Sequence, residues 1–580
     1  MIGAMRSESG VWQSIGRLTA TERRVCAAYP AGAVVDLRAG NAEVDDPAGA
    51  DGWPPARTVR AEVLAALLLG AGRETPGRVA ALRLRGARIT GSLLLSHGRI
   101  AASWLLEQCR IDEHIDIEGA DTGSVYLRGS HLRTLSAYNA RINGALALSD
   151  VKIAGTAALA LYASSVTIQG DLRARGAEVT GPLTLIGADV RGQVVLAGAR
   201  IRNPGGPTLN AGGMRVGRSV ICSGMVSVGE VRLPGVEVGS DLLFDGARLD
   251  GTGLNGTGPD DARLPALPAL SATDLTVAGS VSFRNAERDG RQCNFEAVGA
   301  IWLPRSRLGG TLYFSGARLT SEDAVAMHAR RISVSGNVNL DRGFTTGDEI
   351  RLSGAKIGGF LHVTGMTSPD ALLKLSGATI TGGIRDVDES WPHRVDLDGL
   401  VYGPFDPYRP PRERLTLLRR QVRSDGRTNG GYRAQPYEQL AAYYRSLGDD
   451  GQARTVLLAK SRAARRTQLW YARIGGYVLD CLVGYGYRPS RAIAWALGLL
   501  IGGSVYYSSV TPTRVDTQDA SVFNPVLYTA DQLIPVVRFG QPEVWQFHGA
   551  AAVVSVVLTV LGWTLGVAIA AGATRALTRN

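Results

Sequence analysis

Three places in the sequence carry residue types that could do chemistry. Asp112, His114 and Asp116 alternate along one stretch, so in a strand they share a face. Two carboxylates around an imidazole could ligate a metal ion or relay a proton. One side of one strand offers no further element to complete the shell, and a solvated polar face is the expectation. Gly251-Thr-Gly253-Leu-Asn-Gly256 has the spacing GxGxxG. A dinucleotide site needs that spacing between a strand and a helix whose N-terminus meets the pyrophosphate. Here it opens a Pro-rich loop, so no cofactor is expected. The seven histidines never recur at ligand spacing, and Cys26, Cys109, Cys222, Cys293 and Cys481 include no CxxC pair. No catalytic residue, metal ligand or cofactor-binding residue is therefore expected. An odd number of scattered thiols fits a reducing compartment.

The third place is a run of arginines, Arg412–Arg466. The formal net charge of the chain is +11, and residues 405–475 alone hold 15 Arg/Lys against 6 Asp/Glu. Such a run could bind nucleic acid, but it abuts a long apolar segment. Juxtamembrane basic residues attract anionic headgroups and set orientation. Anionic lipid is therefore the expected partner, with Arg462, Arg465, Arg466, Arg473, Arg488 and Arg491 facing it, and no nucleic acid.

The scaffold that must position these groups is a repeat. LRLRGARITG, LTLIGADVRG, VVLAGARIRN, LLFDGARLDG, LYFSGARLTS, IRLSGAKIGG and LKLSGATITG recur between Ala81 and about Tyr402. Ala87, Gly98, Cys109 and Ala120 stand eleven residues apart, as do Ala177, Ala188 and Ala199, and Val236 and Ala247. A short, sustained period is the signature of a solenoid. Alternating Leu and Val line its inside, Gly makes the corners, and Ala fits where coils approach closely. The 73 glycines of the 580 residues are accounted for by those corners. The fold class expected is mainly β: a β-solenoid, then a helical segment and two transmembrane helices. At roughly 22 residues per coil and about 4.8 Å per strand, the coils would make a rod on the order of 70 Å long.

Four regions follow. Residues 1–77 are expected as a helical cap, with a capping box at Thr19 and Glu22, a short helix ending before Pro30, and a second helix over Arg60–Leu69. Met1–Arg24 lacks the apolar run of a signal peptide. The solenoid takes 78–403, with phase slips near 151–177 and 203–225 and a looped insertion over Asp250–Ala272. Residues 404–490 should hold a basic helical hairpin, with Leu440 and Tyr444 on one helix and Val456 and Leu457 on the other. Trp470, Tyr471, Tyr477 and Tyr485 then suggest an interfacial aromatic belt.

Residues 491–580 read as a two-span membrane domain. Ala492–Val510 is 19 residues long and Gly549–Gly572 is 24, and neither carries a charge. Gly498/Gly502 and Gly562/Gly566 have the GxxxG spacing that lets helices pack in lipid, within the chain or between copies of it. Arg514 and Arg538 face four carboxylates in the connecting loop 511–548, while arginines flank both spans, so both termini should be cytoplasmic. The loop can also be laid beside a channel's pore helix and filter, with Pro535, Arg538, Phe539 and Gly540 as the candidate pore loop. Arg538 stands where a filter glycine would be, so anions would be favoured over cations.

WPPARTVRAEVLAALLLG, ALRLRGARITG, YEQLAAYYRSLGDDGQAR, GYGYRPSRAIAW and FNPVLYTADQLIPVVRFGQ together resemble a family of bacterial membrane-anchored proteins with pentapeptide-like repeats. The resemblance implies an inner-membrane location. Some members carry the label oxidoreductase, which implies a redox enzyme, although no residue quoted supports one. The repeats depart from the strict pentapeptide, which puts a neat four-sided coil in question. The leading expectation is a non-enzymatic, membrane-anchored cytoplasmic scaffold or sensor for a protein partner. The alternative is an oligomeric two-span pore.

Overall fold

A computed structural model describes residues 12–72, 76–251, 267–288, 290–322, 324–422, 432–465, 477, 489–514, 522–534 and 537–577. It divides into two compact units, Met1–Tyr408 and Arg409–Asn580.

The first unit is a β-solenoid of about 13 turns. One parallel sheet has 15 strands, running from Val35–Asp36 to Phe405–Asp406, and a second has 13, from Arg99–Ile100 to Val401–Tyr402. The third sheet, of 22 strands, is two ladders joined where Arg200–Asn210 and Val226–Arg232 run through a corner. A regular turn therefore has four short sides, despite the departure from the pentapeptide pattern. Arg83 pairs with Leu105 and Leu172 with Val194, each two sequence periods further along the chain. One period is thus half a turn, or two sides and two corners.

The corner chemistry follows from the backbone. At Gly187 φ is 64°, a left-handed conformation that glycine adopts without strain, and the next residue, Ala188, turns inward and is buried. Asn139 and Asp150 take the same conformation at other corners, as short polar side chains can. Inward residues repeat two apart along each side, as Leu183 and Leu185 do before the corner, with Ala188 and Val190 after it. Inside the solenoid, phenylalanines stack from turn to turn. Phe244 and Phe283 lie 5.5 Å apart, Phe283 and Phe314 4.8 Å, both nearly parallel, and Phe344 meets Phe314 edge-on.

Each expected phase slip is a longer turn. Leu146 pairs with Leu172 and Val194 with Val220, in both cases more than two periods on, and the excess is taken up at corners while the ladders stay in register. The insertion is shorter than expected at its far end. Leu270–Ser271 is already a strand, paired with Val231–Arg232 and Ile301–Trp302, because Ala269 and Leu270 supply the next inward side. A small antiparallel hairpin, Ala286–Arg288 with Arg291–Cys293, leaves the same region and has no counterpart in the repeat.

The cap holds the expected helix α1 (Ala20–Ala28). Thr19 Oγ1 accepts from the Glu22 amide at 3.1 Å, and Glu22 Oε2 accepts from the Thr19 amide at 2.8 Å. The chain leaves through a single turn at Tyr29–Ala31 and a left-handed Gly32. Helix α2 (Ala61–Ala66) is shorter than expected, because the chain widens over Leu67–Ala71 and turns at Gly70, where φ is 100°. The cap is not purely helical. Val35–Asp36 starts the 15-stranded ladder and Thr58–Arg60 pairs with Arg88–Thr90, so two ladder edges are covered by strands.

The second unit is helical. It comprises α3 (Pro411–Arg419), α4 (Ala434–Ser446), α5 (Asp450–Arg465), α6 (Pro489–Ser508), α7 (Pro525–Leu533), the single turn α8 (Gln541–Val544) and α9 (Ala550–Leu577). The hairpin α4/α5 forms as expected, with Leu440, Tyr444, Val456 and Leu457 buried and Gly448 at φ 77° ending α4. Two transmembrane helices were expected, but among the described residues one helix, Ala550–Val567 within α9, is long and apolar enough to cross a membrane. Helix α6 falls short because it includes Arg491 at one end and Tyr506, Tyr507 and Ser508 at the other. The stretch 511–548, expected as a connecting loop, contains α7, which packs against both α6 and α9.

Candidate functional site

Two arrangements in the helical unit concentrate side chains capable of recognition. The first is a cavity of about 530 Å³ among α3, α4, α5 and the start of α6. Arg412, Leu415 and Arg419 lie at i, i+3 and i+7 on one face of α3. Thr455, Leu458, Ala459, Arg462 and Ala463 line it from one face of α5, and Tyr437 and Arg491 complete it. Leu415, Tyr437 and Leu458 are buried and make an apolar floor. Four guanidinium groups stand around that floor, and no carboxylate is among the described residues that line it. Beside it, Glu413 lies 3.8 Å from Arg409, and Glu438 pairs with Lys460.

The second is a bundle of α6, α7 and α9 whose polarity is inverted. Inside it, the Tyr507 hydroxyl donates to the Ala551 carbonyl at 3.1 Å and lies 2.9 Å from Ser555 Oγ, which is 3.0 Å from the Tyr528 hydroxyl. Thr559 Oγ1 donates to Gln532 Oε1 at 2.6 Å. Outside it, Val553, Val556, Val557, Val560, Trp563 and Val567 of α9 are each half or more exposed. Ile493, Leu497, Ile501 and Val505 make a matching stripe on α6, four residues apart.

Small residues let these helices meet, at partly unexpected positions. Gly498 and Gly502 face open space. The close approach of α6 is made by Gly503, where an added Cβ would stand 2.5 Å from Thr529 of α7. On α9, Gly562 lies against the Leu533 carbonyl, and Gly566 is half-buried. Leu533 itself is buried in the bundle, whereas Ile534 and Val537 are exposed.

Of the candidate pore loop, Arg538, Phe539 and Gly540 are described, and Pro535 lies outside the described residues. The Arg538 side chain is 86% exposed and 3.9 Å from Glu543. Asp531, at the end of α7, accepts from the Phe539 amide at 2.5 Å and the Gln541 amide at 3.0 Å, and Gly540 turns left-handed to start α8. Of the lipid-facing arginines, Arg462 and Arg491 line the cavity, and Arg465 lies over the Tyr477 ring at 3.8 Å. Arg466, Arg473 and Arg488 lie outside the described residues, as do Trp470, Tyr471 and Tyr485.

On the solenoid, Asp112, His114 and Asp116 do not converge. Asp112 accepts from Arg88 Nε at 2.9 Å, Asp116 from Ser96 Oγ at 2.8 Å, and His114 Nδ1 lies 3.0 Å from Ser92 Oγ. Among the described residues no three His, Cys, Asp or Glu side chains are grouped to hold a metal ion. Of the GxGxxG motif only Gly251 is described, and a Cβ there would meet the Leu267 carbonyl. The four described cysteines form no disulfide, and burial pushes the Cys109 and Cys222 thiols up to about 12. One column stacks Arg88, Arg110, His131, Lys152, Glu178 and Arg200 in register, and its cations are paired: Arg88 with Asp51 and Asp112, Arg110 with Asp112, and Lys152 and Arg200 with Glu178.

No protein-family model matches the chain, and no curated protein or solved structure matches it. The resemblance to membrane-anchored repeat proteins gains no support from these comparisons.

The sequence motif GxxxG gave no means of finding Gly503, because Gly502-Gly503 offers two phases and only the position of α7 chooses between them. The cavity arginines were visible as a charge run. Their convergence was not, since it depends on how three helices and the start of a fourth face one another.

Proposed function

We propose that the chain is a non-enzymatic scaffold held at a membrane by its C-terminal helices, with the β-solenoid as the docking face. The observation that carries this is the inverted bundle. In water, exposing ten large apolar side chains on two helices while burying tyrosine, serine and glutamine contacts is unfavourable; in lipid both choices are favourable. On this reading α9 spans the bilayer and α6 enters beside it, which makes the domain a two-span anchor in an inner membrane with both termini cytoplasmic. The solenoid would present a rigid, repetitive surface to a protein partner.

The test is extraction of membranes from cells making the full chain. The protein should resist alkaline carbonate and yield to detergent. Recovery in the carbonate supernatant would reject the anchor. A pore is the second reading, favoured by the seating of α7 between α6 and α9, as a pore helix sits between two spans. Planar-bilayer recording of the purified protein should then show anion-favouring currents altered by Arg538→Gly, and silence from both proteins would remove it.

A further inference from the structure

The outer face of the solenoid holds a carboxylate that no other group satisfies. Asp341 is 7% exposed, its Oδ1 is buried, and among the described residues no hydrogen bond or ion pair reaches its side chain. Asn339, two residues earlier, has a buried Oδ1 in the same condition. Val338 and Leu340 point inward and are fully buried, so Asn339 and Asp341 share the outer side, roughly 6.6 Å apart along extended chain. His362 stands opposite Asn339 in the next turn, about 4.8 Å away between backbones. The ladder continues past this pair: the Leu340 amide donates to the His362 carbonyl at 3.0 Å, and the Arg342 amide to the Thr364 carbonyl at 3.1 Å. The His362 ring meets Phe360 edge-on at 6.1 Å, and its nitrogens make no hydrogen bond among the described residues.

A buried carboxylate oxygen and a buried amide oxygen left without donors are costly, and folded proteins rarely keep such groups without a use. Among the charged groups that act on His362 are Asp341, Asp406 and Arg385. Arg385 turns to Asp406, 2.6 Å away, and lies over the Phe360 ring at 5.1 Å, so it is not the partner of Asp341.

We infer that Asn339, Asp341 and His362 bind a divalent first-row transition cation on the outer face of the solenoid, through two oxygens and one ring nitrogen. An imidazole selects such ions over magnesium and calcium, and the carboxylate supplies charge. With an amide oxygen as the third ligand, water completes the coordination. The site lies outside the membrane anchor and does not depend on it.

The test uses the full chain purified in detergent without a histidine tag and stripped with a chelator. Zn²⁺ and Mg²⁺ are titrated calorimetrically, and thermal unfolding is followed with and without Zn²⁺. The wild type should bind Zn²⁺ more tightly than Mg²⁺ and should melt at a higher temperature when Zn²⁺ is present. His362→Gln should weaken Zn²⁺ binding roughly tenfold or more. Asp341→Asn should do the same, yet without metal it should melt no lower than the wild type, because it removes an unpaired buried charge. An aspartate with only a structural role would show the opposite, a lower metal-free melting temperature with Zn²⁺ affinity kept. His114→Gln with Asp116→Asn removes the same residue types from another part of the solenoid, where Ser92 and Ser96 already partner them, and should change affinity by less than about twofold. Zn²⁺ binding that survives both His362→Gln and Asp341→Asn, an equal loss in the control pair, or no binding by the wild type would overturn the site.

Discussion

Among single residues, Glu22 does three jobs at once. It closes the capping box, accepts from the Arg60 backbone amide at 3.1 Å, and holds the Arg60 guanidinium through both oxygens at 2.8 and 2.9 Å. Burial pushes its pKa up, but the Arg60 side chain and the Thr19 and Arg60 amides outweigh burial and hold it down to about 2. A carboxyl depressed in the folded state contributes stability above its unfolded pKa, near 4.5, and loses it as pH falls toward 2. Urea unfolding should therefore show stability falling between those values, and Glu22→Gln should flatten that part of the profile while costing about 1–3 kcal/mol at neutral pH. An unchanged acid limb in the variant would assign the loss to other carboxylates. The corners give a second test. Ala188 and Ala199 are buried, and a bulky replacement should cost roughly 1–3 kcal/mol in thermal or urea unfolding. Changes at Arg191, whose side chain is 64% exposed, should stay within about 0.5 kcal/mol. The alternation of apolar residues made these inside and outside positions readable from the sequence. The partners of Glu22 were not readable, because Arg60 lies far along the chain and meets it only once the cap folds.

Among the elements, the helices of the second unit offer a contrast between glycines on one helix. Gly503→Leu should wedge α6 from α7 at a cost of about 1–3 kcal/mol, read as a lowered melting temperature in detergent, whereas Gly498→Leu points into open space and should be silent for the single chain. If Gly498→Leu alone disrupts an oligomer, that face belongs to a contact between copies. Topology is tested with Val522→Cys, 83% exposed between α6 and α7, which should react with an impermeant thiol reagent on intact cells. Arg191→Cys on the solenoid should react only after lysis, and the reverse pattern would invert the orientation. Helices α4, α5 and α6 were legible in the sequence, within a few residues at each end, because their apolar runs and stops are strong, whereas α7 and α8 fall in the stretch expected as a loop. The place of α7 was not legible: Leu533 and Ile534 read equally well as part of a loop resting on a membrane surface, and only the approach of Gly503 to Thr529 and of Gly562 to Leu533 puts the helix inside. The solenoid's period was legible from Ala87 to Ala247, but the period alone could not say how many sides close a turn; the pairing of Arg83 with Leu105 does.

For the molecule as a whole, the two units should separate in their folding. A chain ended at Tyr408 keeps every ladder and should be soluble and unfold cooperatively, since each turn is stabilised mainly by its neighbours. One ended near Asn337 leaves Phe314 at a bare coil end without Phe344, and should aggregate at the same concentration, as judged by light scattering. Equal solubility of both would mean that the last turns do not act as a terminal cover. The varied turn lengths carry a consequence for how such a chain can change. Leu172 to Val194 spans two periods, and Leu312 to Val338, Val281 to Leu312 and Leu242 to Val281 span progressively more, yet all four pairs sit in one parallel ladder. In this ladder length is thus absorbed at the corners, although the neighbouring strand Val325–His328 takes up one extra residue as a bulge between Val325 and Met327. Gene duplications or grafted peptides of almost any size can enter after Asp250 or between Arg288 and Arg291 without shifting the rest, whereas deleting one residue between Leu183 and Leu185 would turn the following side inside out. The lineage of such a protein is free to grow domains from its edges while its interior stays fixed.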